Sequence, residues 1–160
     1  MIILNTGGTF NKIYDPIKGE LIVPQNNDIV HDFLKKNFLQ IEIQGLIYKD
    51  SLEFSDEDRE LLLQAIKNCN RKRIVIVHGT DTMDKSAAFV APYIHNQCVV
   101  FTGAMVPYSI DPVEASANLA LAIAKVRYTY EDGVFIAMHG IVDRYDRVYK
   151  DRARGVFCQK

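Results

Sequence analysis

A chain of 160 residues with 48% hydrophobic and 24% charged residues fits one globular domain, and closes a core without a metal or disulfide staple. The formal net charge of -1 comes from mixed signs, which excludes the basic stripe of a nucleic-acid surface. Cys69, Cys98 and Cys158 form no Cys-x-x-Cys, and His31, His78, His95 and His139 lack ligand spacing, so neither a zinc site nor a disulfide framework is expected.

Met1 to Leu4 is an apolar run of the kind that forms a buried parallel strand, and it delivers Thr6-Gly7-Gly8-Thr9. Phe10 to Val23, with Asp15-Pro16 and Lys18-Gly19, reads as a turn between two short extended pieces, a mobile flap. Asn27 or Asp28 caps a helix whose apolar face takes in Ile29, Val30, Phe33, Leu34 and Phe38. Ile41 to Ile47 alternates as a second strand. Ser55, followed by Asp56, Glu57 and Asp58, is a capped helix start, with Leu61, Leu62, Ala65 and Ile66 as the buried stripe. Arg71-Lys72-Arg73 falls where this helix ends, and cations there complement its dipole.

Ile74 to Val77 is the third strand, ending in His78-Gly79-Thr80-Asp81-Thr82, and Asp81 to about Ile94 is the helix behind it. Cys98 to Phe101 feeds Thr102-Gly103-Ala104-Met105. Pro112 to Tyr128 is the longest helix, with Val113, Leu119, Ile123 and Val126 facing inward, and Gly133 to Met138 is the fifth strand. Residues 140 to 160 read as a polar loop or hairpin near the carboxyl end of that strand. Alternating strands and helices imply right-handed crossovers, hence a three-layer α/β/α fold with a mostly parallel sheet, Rossmann-like or flavodoxin-like. No apolar run approaches the roughly 18 residues that span a bilayer, and a soluble, cytoplasmic, single-domain protein is expected.

Two hydroxyl-rich loops at strand ends face the edge where open α/β sheets bind ligands. A threonine hydroxyl such as that of Thr9 becomes a nucleophile only when a base takes its proton, and Gly7 and Gly8 are expected to leave backbone amides open to an oxyanion. Thr80, Asp81 and a remote lysine, for which Lys150 is the candidate, compose a proton relay; capping and surface charge are the alternative readings. The spacing matches neither Gly-x-Gly-x-x-Gly nor a P-loop, which weakens nucleotide binding.

Thr6 to Thr9, His78 to Met83, and Thr102 to Met105 with Asn118 together resemble the N-terminal domain of the bacterial-type L-asparaginase family across essentially the whole chain. The resemblance implies an amidohydrolase acting on asparagine or a related small amide, with Thr9 as primary nucleophile and Thr80, Asp81 and Lys150 as a second triad. By the same resemblance Tyr14 in the flap activates the nucleophile, and Gly8, Ser51, Gly79 and Ala104 contact substrate. It implies no cofactor, no metal, no nucleic acid or membrane partner, and a homo-oligomer. The family's C-terminal domain is expected to be absent. Leu52 and Val106 stand where relatives carry polar or charged residues, so substrate recognition departs from the family pattern. A non-catalytic amino-acid sensor is the alternative function.

Overall fold

The computed structural model describes residues 1–160. Five parallel strands form its centre: β1 (Ile2–Gly7), β4 (Glu42–Lys49), β5 (Arg73–Val77), β6 (Cys98–Thr102) and β7 (Gly133–Met138). Their order is β4-β1-β5-β6-β7, and β8 (Ile141–Arg144) adds an antiparallel sixth strand beyond β7. This is the flavodoxin-like winding, in which chain direction across the sheet reverses between β1 and β5. The ligand crevice of such sheets opens at that reversal.

Alternating residues of each strand supply two separate cores. Ile2, Leu4, Ile74, Ile76, Val99 and Phe101 pack on one face against α2 (Asp56–Asn68) and α3 (Met83–Val90). Ile3, Val75, Val77, Val100 and Phe135 pack on the other against α1 (Asp28–Lys36) and α4 (Pro112–Tyr128). Side chains two apart share a face of a strand, so uninterrupted apolar runs are what a sheet covered on both sides requires. Each large side chain so buried contributes about 1.5–3 kcal/mol.

The helix signals operate as the residue types demand, with local shifts. Ser55 Oγ accepts from the Asp58 amide at 3.2 Å while Asp58 accepts from the Ser55 amide at 2.9 Å, a reciprocal box at the start of α2. Asn27 occupies the N-cap of α1, but its side chain makes no capping bond and accepts instead from Asn5 at 2.9 Å. The helix expected from Asp81 begins at Met83 and gives way to a 3-10 turn over Ala91–Tyr93, where Pro92 has no amide to continue the ladder.

Several sequence expectations are corrected. Phe38 lies past the end of α1 at φ 54 and is 95% exposed. Leu61 and Val113 are exposed, and Leu63 takes the buried place in α2. Arg73 belongs to β5, and its guanidinium donates to the carbonyls of Val126, Arg127 and Thr129, so it caps α4 rather than α2. The segment after β7 contributes a sheet strand before its hairpin.

Two small hairpins stand outside the main sheet. β2 (Ile13–Asp15) with β3 (Glu20–Ile22) forms the flap, and β9 (Val148–Asp151) with β10 (Val156–Gln159) forms the C-terminal hairpin. Val148 and Phe157 anchor the latter in the α2/α3 core.

Candidate active site

The loops leaving β1, β4, β5 and β6 meet at the carboxyl edge of the sheet, and their glycines permit the approach. Gly8 has φ 74, and a Cβ there would overlap the backbone of Gly79. A Cβ on Gly79 would in turn sit 2.6 Å from the Cβ and Oγ of Ser51. The residues immediately before Thr9 and Thr80 therefore pack backbone to backbone, and Ser51 also packs against Gly79. Side chains at either position would push the loops apart.

Thr80, Asp81 and Lys150 come together from distant parts of the sequence. Lys150 Nζ lies 2.9 Å from Thr80 Oγ1 and 2.8 Å from Asp81 Oδ1. Its side chain is only 12% exposed. Accepting from Lys150 leaves the Thr80 hydroxyl hydrogen free to donate elsewhere. Ser51 is fully buried; its Oγ accepts from the Asp81 amide at 3.2 Å and its carbonyl accepts from Thr82 Oγ1 at 2.7 Å.

Beneath this edge His78 is sealed between Phe54 and Phe101, at ring separations of 4.5 and 5.8 Å. Burial pushes its imidazole down to about 4 from 6.5, against a hydrogen bond from Nδ1 to the Gly79 carbonyl at 2.8 Å. It is a neutral support for the loop.

Lys12 and Asp50 form an ion pair at 2.6 Å between the base of the flap and the residue before Ser51. Burial raises the Asp50 carboxyl, but Lys12 and the Leu52 amide outweigh it and hold the group below the usual carboxylate range. A cavity of about 440 Å³ opens beside this pair, lined by Lys12, Asp50, Leu52 and the flap residues Leu21, Ile22 and Val23.

Not every expected contact is present. The Gly7 amide donates to Asn5 Oδ1 and the Gly8 amide to the Lys49 carbonyl at 2.9 Å, so neither is open to an oxyanion. Tyr14 faces Leu21 in the flap, is 61% exposed, and is not tied into the cluster by a hydrogen bond. Thr9 is half-buried at the start of a 3-10 turn. Ala104 is buried in the loop after β6, where Asn118 Nδ2 donates to the Gly103 carbonyl at 3.1 Å.

Other contributors to this edge carried no local signal. Arg152 donates to Asp81 Oδ1 at 3.1 Å and to the Asp81 carbonyl at 2.7 Å, so one carboxylate holds two cations. Glu114 and His139 brace the neighbouring loops. Their spacing follows no motif, and only the charged run around Arg152 was visible beforehand.

The switch point of this flavodoxin-like sheet thus gathers threonines, a carboxylate and a largely buried lysine, on loops that follow no phosphate-binding pattern. The family model for the N-terminal domain of asparaginases matches residues 1–158, and the chain belongs to the asparaginase family. It is 28% identical over 120 residues to a glutaminase-asparaginase from Acinetobacter glutaminasificans, covering 73% of this chain and 35% of that protein. Among solved structures it resembles the thermostable L-asparaginase from Thermococcus kodakarensis with TM-score 0.85 at 26% identity, covering 99% of this chain and 50% of that one. A probable cytoplasmic L-asparaginase from Campylobacter jejuni shares the fold at TM-score 0.76 and 23% identity, again over 99% and 50%. The chain thus spans half of those solved chains. No helix is long and apolar enough to cross a membrane.

Proposed function

We propose that this chain carries the amide-hydrolysing centre of an asparaginase-like amidohydrolase, with Thr9 as nucleophile and no organic cofactor. Thr9 Oγ adds to the amide carbonyl, the C–N bond breaks, and the hydroxyl proton leaves with the nitrogen as ammonia. Water then cleaves the acyl ester and restores the Thr9 hydroxyl. Thr80, held by Lys150 and Asp81, relays protons; Ser51, Gly8, Gly79 and Ala104 line the substrate, and Tyr14 reaches it when the flap closes. The observation that carries this reading is Lys150 Nζ at 2.9 Å from Thr80 Oγ1, beside the Gly8–Gly79 contact that brings the Thr9 loop to the same edge.

Ammonia release from asparagine, glutamine and a panel of small amides tests the proposal. Wild type should turn over at least one amide, and Thr9→Ala should turn over none. Equal rates for the two proteins would overturn it. The exposure of Tyr14, without a hydrogen bond to the cluster, favours one second reading, an amino-acid-binding module. Calorimetric binding of aspartate or asparagine without ammonia release would select that module instead.

A further inference from the structure

His139 occupies a backbone conformation that suits another residue. Met138 pairs with Ile141, so His139 and Gly140 alone connect β7 to β8, with φ 52 and 79. Two consecutive positive φ values define the tight turn that Asn-Gly forms best, and a histidine at its first position is strained. The side chain that bears this strain is bonded at both ring nitrogens. Nε2 lies 3.0 Å from Glu114 Oε1, and Nδ1 accepts from the Phe157 amide at 3.1 Å. An Nδ1 that accepts a backbone hydrogen carries no proton, so the proton sits on Nε2 and is donated to Glu114.

The Glu114 carboxylate gathers further donors. It accepts from the Met105 amide at 2.9 Å, the Val106 amide at 3.0 Å and Asn118 Nδ2 at 2.9 Å. Asn118 Oδ1 accepts in turn from the His139 amide at 2.8 Å. One carboxylate and one imidazole therefore connect the loop that follows Ala104, the β7–β8 turn and strand β10. Phe157 on β10 stands directly across from Lys150 on β9.

We propose that Glu114 and His139 are positioning residues that set the reach of Lys150 to Thr80 and couple it to the placement of the Ala104 loop. The catalytic importance of Lys150 rests on the amide-hydrolase reading; the positioning itself does not. The two-stranded hairpin shares no strand ladder with the six-stranded sheet, so the Phe157 amide, alongside the Gln159 side chain that donates to Asp143 on β8 at 3.2 Å, is a main-chain tie from its β10 side to the turn at the sheet's edge. His139 supplies the acceptor, and Glu114 orients the ring that carries it.

The informative variant is His139→Asn. Asparagine is the better residue for this turn, so the fold is preserved, yet its side chain is too short to serve Glu114 and Phe157 together. The expected result is faster hydrogen exchange at the Phe157 amide and a crystal structure with Lys150 Nζ out of hydrogen-bond range of Thr80 Oγ1. Turnover should fall roughly 10- to 100-fold, with KM within about twofold of wild type. Glu114→Gln, which keeps size but puts a donor against donors, should raise KM as well as lower kcat, because it frees the Ala104 loop. An unchanged Phe157 exchange rate, or a Lys150–Thr80 distance still near 2.9 Å in His139→Asn, overturns the proposal. If wild-type protein releases ammonia from no amide, the hydrolase reading fails alone, and exchange and crystallography still decide the positioning.

Discussion

Lys150 Nζ donates to Thr80 Oγ1 at 2.9 Å across 70 residues of sequence, and the same ammonium lies 2.8 Å from Asp81. Lys150→Met removes the proposed relay without stranding a buried charge, because Arg152 remains on Asp81. The variant should therefore fold, with kcat for ammonia release reduced about 10²- to 10⁴-fold. A loss of less than about threefold would detach Lys150 from the chemistry.

Gly8 tests the contact between the two threonine loops. Alanine at φ 74 is strained, and its methyl meets the Gly79 backbone, two residues past the end of β5 and packed against Ser51. Gly8→Ala should cost about 3 kcal/mol, which lowers the melting temperature by roughly 10 °C. Thermal denaturation followed by circular dichroism measures it.

His78 makes stability depend on pH. Its folded value lies near 4 and its ordinary value is 6.5, so the unfolded chain takes up a proton first as pH falls. The stabilisation is whole above about 6.5 and is lost progressively down to about 4, amounting to roughly 3 kcal/mol at most. Urea titrations across that window should show this slope in wild type. His78→Gln should be less stable at neutral pH and markedly flatter below it.

Arg152 bears on substrate charge. With Lys150 and Arg152 on one side and Asp81 on the other, the groups next to Thr80 sum formally to one positive charge. An amide with a carboxylate and no ammonium, such as succinamate, should be preferred over asparagine. Arg152→Gln should shift the ratio of kcat/KM values toward asparagine by about tenfold. An unchanged ratio would remove Arg152 from recognition.

Much of this architecture is written in local patterns. Apolar runs ending in glycine and threonine marked the parallel strands, Ser55 and Asp58 marked the start of α2, and the family motifs singled out Thr80, Asp81 and Lys150, which the fold joins. What escaped depends on contacts between distant segments. β8 is a half-buried edge strand containing Asp143 and Arg144, so it lacks the apolar signature of its neighbours. Phe38 and Val113 fit a helical period but fall outside the buried faces of α1 and α4. Gly7 and Gly8 suggested free amides, yet Asn5 and Lys49 consume both. Glu114 and His139 meet across 25 residues, a distance at which no motif speaks.

The placement of Thr9 and Lys150 on different kinds of support has a thermal consequence. Thr9 follows β1, an interior strand paired on both sides in the six-stranded sheet, whereas Lys150 rides on a two-stranded appendage. Heat reaches these supports at different points, because peripheral units open before central ones. Warming should therefore extinguish turnover while the far-ultraviolet signal is still native, and cooling should restore it without refolding.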